Sequence, residues 1–242
     1  MKKETISNPG NERYINEDSF IIIEFPDDSC LAAVADGMGG ESCGDIASKI
    51  VIEGIEKLFD YKLCSEKSYF LNLFKELHKK ITSIAKEKFE LQGMGTTLVV
   101  AYISKDIVYW ANVGDSRLYL YTHGNLVRIT SDHNVPGILL KDNAISEEQA
   151  FLHPLKNHLL KYLGGRYIEP NKNNEPDIGN FNILKGDRLI LCTDGLHSEI
   201  RNKQIASILS NSNDLKQTVE SLNSAALEAG GKDNITIIVI EI

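Results

Sequence analysis

A chain of 242 residues, 42% of them hydrophobic and 7% aromatic, carries enough apolar material for one sizeable core, and single domains of this length are ordinary. Its formal charge of −8 works against nucleic-acid phosphates and anionic lipid surfaces as partners. Four cysteines without a C-x-x-C pair, the lack of an apolar leader and the lack of a bilayer-length apolar run exclude a disulfide scaffold and a membrane-spanning chain, and predict a reduced, cytoplasmic protein.

The predicted elements begin with strands at Ser19–Phe25 and Leu31–Ala35, rich in Ile, Val and Ala. Ile46, Ile50, Val51, Ile55 and Leu58 then recur at helical spacing, as do Phe70, Leu73, Leu77, Ile81, Ile84 and Phe89, which predicts two consecutive amphipathic helices. Strands are predicted at Leu98–Ile103, Ile107–Val113 and Leu118–Tyr121, joined by turns too short for a crossover helix. From Asp132 to Asn182 the chain turns rich in Asn, Pro and Gly; one short helix is announced by the capping box Ser146-Glu-Glu-Gln149, and the interval reads as a flap insertion in a single domain spanning 1–242. A strand at Leu189–Cys192, helices over Gln204–Leu209 and Leu215–Glu228 with a stop at Gly230-Gly231, and a last strand at Ile235–Ile242 complete the list. Helices in pairs and strands in hairpins predict an α+β fold, a central antiparallel β-sandwich flanked by paired antiparallel helices.

Four aspartates share one context, the end of an apolar strand with glycine close by: Asp36 in VADGMGG, Asp115 in NVGDSR, Asp194 in CTDG and Asp233 in GGKDN. Any one of them alone reads as a turn. If the sheets bring several together, carboxylates about 4 Å apart repel by ~4 kcal/mol at an effective dielectric near 20, and a cation or protonation must relieve them. An all-oxygen donor set favours Mg²⁺, Mn²⁺ or Ca²⁺, and no thiolate pair or H-E-x-x-H helix offers a zinc site.

In this order the motifs Arg13-Tyr-Ile-Asn-Glu-Asp18, Val34-Ala-Asp-Gly-Met-Gly-Gly40, Gly93-Met-Gly-Thr-Thr97, Asn112-Val-Gly-Asp-Ser-Arg117, Ser131-Asp-His-Asn134, Thr193-Asp-Gly195 and Gly231-Lys-Asp-Asn234 resemble those of the type-2C metal-dependent protein phosphatases, in their bacterial stand-alone form. His153-Pro154 and Leu163-Gly-Gly165 resemble that family's flap. The resemblance implies a serine/threonine protein phosphatase with two Mn²⁺ or Mg²⁺ ions and a water nucleophile they activate. It implies that Asp36 bridges both ions, that the Gly37 carbonyl completes the first site, that Asp194 and Asp233 hold the second, and that Glu17 acts through water. Arg13 matches the phosphate-binding arginine, whose planar fork suits phosphoryl oxygens, although a surface salt bridge would also explain it. The resemblance implies that Asp18 and Asn234 support this shell, although a structural turn role explains Asp18 equally well, and Asp115 matches the ligand of a weakly held third ion, although a Gly-Asp-Ser hairpin turn alone would also explain it. The implied partners are phosphoproteins and an opposing serine/threonine kinase.

One position departs from the pattern. Some relatives place histidine directly after the first Asp-Gly, where it can protonate the leaving alcohol; here it is Met38, so no general acid is assigned, and His133 and His153 read as structural. Two other readings stay open: a dinuclear phosphoesterase acting on nucleotides or metabolites, and a catalytically dead phosphatase-like binding module, against which the presence of Asp36, Asp194, Asp233 and Arg13 argues.

Overall fold

The computed structural model describes residues 1–39, 43–64, 66–165, 175–212 and 214–242; Gly40 of the Asp-Gly-Met-Gly-Gly motif and residues 166–174 of the flap interval lie outside them. The described residues form two antiparallel sheets, each within its own compact unit and each with its own helices. No helix among them is long and apolar enough to cross a membrane.

The first unit comprises Met1–Asn16, Gly114–Leu160 and Leu184–Ile242. Its strands are β1 (Lys2–Asn8), β7 (Arg117–Thr122), β8 (Asn125–Arg128), β11 (Arg188–Cys192) and β12 (Ile235–Glu241), in the order β1-β12-β11-β7-β8. β12, ITIIVIE, is buried along all but its last residue, which is why it reads as an unbroken apolar run rather than an alternating one. Ile235, Ile237 and Val239 share a core with the apolar stripes of two helices: Ile205 and Leu209 of α6 (Asn202–Asn211) and Val219, Leu222 and Ala226 of α7 (Leu215–Ala229). Asp214 caps α7 by accepting from Gln217 N–H, and Gly230 and Gly231, both at positive φ, end it, with Gly231 N–H returning to the Ala226 carbonyl. Three shorter helices belong to this unit: α3 (Val135–Lys141), α4 (Glu147–Phe151) and α5 (Asp194–His197).

The second unit comprises Glu17–Val113 and Lys161–Ile183. β2 (Asp18–Glu24), β3 (Cys30–Met38), β4 (Gly95–Thr96), β5 (Leu98–Ser104), β6 (Ile107–Val113), β9 (Leu163–Gly164) and β10 (Asp177–Asn182) run in the order β10-β6-β5-β3-β4-β9, with β2 also paired to β3. Leu31, Ala33 and Ala35 of β3 and Leu98, Val100 and Tyr102 of β5 share a core with α1 (Gly44–Leu58) and α2 (Lys67–Glu87), to which Val51, Ile55, Phe70, Phe74 and Leu77 contribute. Leu77 lies so close to Gly54 that a Cβ there would overlap its Cδ2, and the missing side chain lets the two helices approach closely.

The Ser146–Gln149 capping box forms as its sequence predicts. The interval around it holds more structure than one helix. α3 is capped by Asn134, while β9 and β10 join the sheet of the second unit, β10 pairing with β6 from Asp177↔Asn112 to Asn182↔Ile107.

Candidate active site

In the second unit Asp36 sits near the end of β3, opposite Asp18 at the start of β2. The Gly93–Thr97 motif fixes its backbone. Asp36 N–H donates to Thr97 Oγ1 at 3.0 Å, and Thr96 Oγ1 and Thr97 N–H donate to its carbonyl, both at 2.9 Å. Gly37 follows in a place where only glycine fits, since a Cβ would overlap the Gly44 carbonyl oxygen and lie 2.6 Å from that of Glu17. Its N–H donates to the Glu17 carbonyl at 3.2 Å, and the Glu17 carboxylate accepts from Gly44 N–H at the first turn of α1 at 3.1 Å. Ser48 Oγ donates to the Glu17 carbonyl at 2.6 Å, so Glu17, Asp36 and Gly37 are held by one connected network.

In the first unit β11 delivers Asp194 to the first turn of α5. Thr193 ties that turn to β12: its N–H donates to the Thr236 carbonyl at 3.1 Å, and its hydroxyl accepts from Thr236 N–H at 3.0 Å. Gly195 again permits a close approach, because a Cβ there would overlap the Asn234 carbonyl oxygen. Asn234 Nδ2 donates to the carbonyls of Pro9 at 2.9 Å and Ile15 at 3.0 Å, pinning the segment that carries Arg13. Arg13, half exposed, places Nη2 2.8 Å from Asp233 Oδ2.

Asp115 is buried on the turn after β6. Gly114 N–H donates to His133 Nδ1 and His133 N–H to the Gly114 carbonyl, each at 3.0 Å; His197 Nε2 donates to the Asp115 carbonyl at 3.0 Å; Asn134 Nδ2 reaches Asp115 Oδ2 at 3.4 Å. Burial, and then the negative charge of Asp194, push the Asp115 carboxyl well above its ordinary range. Two carboxyls that oppose each other's ionisation in a buried setting suit a hard divalent cation.

The family model of protein phosphatase 2C matches residues 11–233, which takes in all of these residues from Arg13 to Asp233. The chain belongs to the protein phosphatase 2C family. It is 34% identical over 246 residues to the serine/threonine phosphatase stp of Listeria welshimeri, a match that covers 100% of this chain and 96% of that relative. Among solved structures, the serine/threonine phosphatase Stp1 of Staphylococcus aureus superposes with a TM-score of 0.87 at 30% identity, over 100% of this chain and 94% of that one. The catalytic domain of PstP in complex with two manganese ions superposes at 0.81 with 28% identity, over 99% and 97%.

Within this 2C phosphatase the residues singled out by sequence divide into two groups. Glu17, Asp18, Asp36 and Gly37 lie in the second unit; Arg13, Asp115, Asp194, Asp233 and Asn234 lie in the first. Among the described residues, neither unit brings three His, Cys, Asp or Glu side chains into one ready-made cage. All four cysteines are free and buried, and burial raises Cys64 to about 11 and Cys192 to about 12, which leaves these two as inert thiols.

Sequence reasoning missed the residues that hold the aspartates. Thr96, Thr97, His133 and His197 act through hydrogen bonds to the backbone, and nothing in composition or periodicity marks them. Thr96, Thr97 and His133 stand out only by their place in quoted motifs. It also missed the buried pair of Arg117 and Asp132, with Nε–Oδ1 at 2.8 Å and Nη2–Oδ2 at 2.6 Å.

Proposed function

We propose that this 2C-family phosphatase hydrolyses phosphoserine and phosphothreonine in proteins, in the cytoplasm, and that residues 1–242 act as one phosphatase domain with a flap at about 132–182. The observation that carries the reading is the end-to-end similarity to relatives named serine/threonine phosphatases. Its partners on this reading are phosphoproteins and the serine/threonine kinase that opposes it.

The residues that would hold two Mn²⁺ or Mg²⁺ ions are Asp36 and the Gly37 carbonyl, with Asp194 and Asp233, and Glu17 through water; Asp115 would hold a weaker third ion. Divalent ions so bound supply an activated water and neutralise phosphoryl charge. The protein's own contribution is positioning. Thr96 and Thr97 fix the Asp36 backbone, the Glu17 carbonyl holds the Gly37 N–H, and Thr193 fixes the turn of Asp194, so the backbone that carries these ligands needs little reorganisation. Asn234 and Asp18 support this shell. Arg13 would offer its fork to the phosphoryl oxygens and binds substrate by exchanging Asp233 for it.

Phosphate release from a phosphothreonine peptide, compared with release from nucleotides, under Mn²⁺, Mg²⁺, Ca²⁺ or EDTA tests the proposal. Peptide turnover with Mn²⁺ or Mg²⁺ that falls at least ~10²-fold in Asp36→Asn is expected. EDTA-resistant turnover, or preference for nucleotides, would refute it.

A further inference from the structure

A pocket of about 340 Å³ lies wholly within the first unit, walled by α3, α4 and the start of α6 and floored by Arg117, Arg128 and Asp132. That volume suits a small ligand. Five cationic side chains, Arg117, Arg128, Lys156, Arg201 and Lys203, line it against three carboxylates, Asp132, Glu147 and Glu148. Two positive charges are therefore in excess, in a chain whose formal charge is −8.

The excess is concentrated at the floor. Asp132 is gripped bidentately by Arg117 and meets Arg128 only at 3.6 Å, so one carboxylate serves two guanidinium groups whose side chains are 14% and 17% exposed. A largely buried cation without a full counter-charge is costly, and a bound anion relieves it. Lys156 adds a second cation, which meets no carboxylate among the described residues: its Nζ donates to the Ser198 carbonyl at 3.1 Å and lies 5.1 Å from the Phe151 ring centroid. The ten-residue helix α6 opens on the same pocket, and its N-cap, Arg201, makes no side-chain cap hydrogen bond, so the positive end of that helix also faces the space.

We propose that this pocket binds a phosphoryl group, free or carried on a phosphorylated side chain, with Arg128 and Lys156 as its charged ligands. A dianion matches the two excess charges, and a tetrahedral set of oxygens can accept from a guanidinium and an ammonium at once, which a single planar carboxylate does less well. The site is separate from Arg13 and makes no use of the hydrolytic reaction.

Calorimetric titration of the full chain in EDTA, with inorganic phosphate, O-phosphoserine and a phosphothreonine peptide in turn, tests it without divalent ions, so its outcome is independent of the hydrolytic reading. Saturable binding is expected, weakened at least ten-fold by Arg128→Gln and by Lys156→Met and unchanged in Arg13→Ala. Thermal melts check that the variants fold. Lys156→Met, which leaves the Asp132 ion pairs intact, carries the test alone if Arg128→Gln does not fold. Binding of inorganic phosphate identifies the free anion as a ligand, and binding of the peptide alone identifies a phosphorylated side chain. No saturable binding of any of the three, or binding lost in Arg13→Ala and kept in both pocket variants, would overturn the proposal.

Discussion

Replacing Arg117 by methionine isolates the buried charge pair of the first unit. Arg117 and Asp132 are 14% and 7% exposed and share two hydrogen bonds, of 2.8 and 2.6 Å; Arg117 Nη1 also donates to the Tyr119 hydroxyl at 2.9 Å. Breaking such a pair from one side costs about 3–5 kcal/mol, because the remaining carboxylate stays buried. Arg128, at 3.6 Å from Asp132, offsets part of this, and Tyr119 keeps Asn202 as a partner, so a loss of about 3 kcal/mol at neutral pH is expected. Burial alone would raise the Asp132 carboxyl, but the charge and hydrogen bonds of Arg117 overcome it and hold it well below its ordinary value of 3.8. A depressed carboxyl contributes stability that is fully present above the ordinary value and is lost as pH falls below it. The deficit of Arg117→Met is therefore largest near neutrality and shrinks as pH falls into the carboxylate range. Urea unfolding followed by circular dichroism, on wild type, Arg117→Met, Asp132→Leu and the double variant, gives the coupling energy directly. A coupling below about 0.5 kcal/mol, typical of exposed pairs, or a deficit that does not change with pH, would refute the reasoning.

Arg13→Ala is expected to lower kcat/KM about ten- to a hundred-fold while Mn²⁺ affinity stays the same or tightens, since the variant frees Asp233 from a competing cation; weaker Mn²⁺ binding by calorimetry would contradict this. Asp115→Asn keeps a side chain within reach of Asn134 and removes the repulsion with Asp194, so the metal-free variant should melt higher than wild type at neutral pH while more Mn²⁺ is needed for half-maximal rate. Because the raised Asp115 carboxyl takes up a proton on folding, metal-free wild type gains stability as pH falls towards 3.8, and that gap between the two melting curves should close. Gly195→Ala should cost about 1–3 kcal/mol in urea unfolding and most of the activity, because the new Cβ overlaps the Asn234 carbonyl; wild-type values for both would show that the turn can yield.

The strands legible in the sequence are apolar runs, whether buried along most of their length or, like β2, β6 and β7, only in part. β3, β5, β11 and β12 are continuous apolar runs, and β6, predicted at Ile107–Val113, has those same bounds. β1 and β10 were not legible for a physical reason. KKETISN lies at the edge of its sheet and pairs Lys2 with Glu241, and DIGNFN lies at the edge of the other, so neither has to present an apolar face. Helices α1, α2, α6 and α7 carry a stripe at helical spacing, whereas α3 and α5, of seven and four residues, are too short to show one.

The site divides along a similar line. Asp36, Asp194 and Asp233 announce themselves because a carboxylate beside a glycine at a strand end is chemically conspicuous, and two of the glycines are required by contact: Gly37 against Gly44 and Gly195 against Asn234. The groups that hold them do not announce themselves. A threonine that accepts one backbone N–H, as Thr97 does from Asp36, looks like any strand threonine, and His133, which reads as structural from the sequence, shows its particular task only in the Gly114 N–H that its Nδ1 accepts. That acceptor role decides its chemistry. With Nδ1 engaged by a backbone donor, the ring proton of neutral His133 sits on Nε2, and the ring ties the turn carrying Asp115 to the segment of Asn134, whose side chain reaches Asp115 Oδ2. A ring committed through Nδ1 to the backbone of that turn suits a positioning residue.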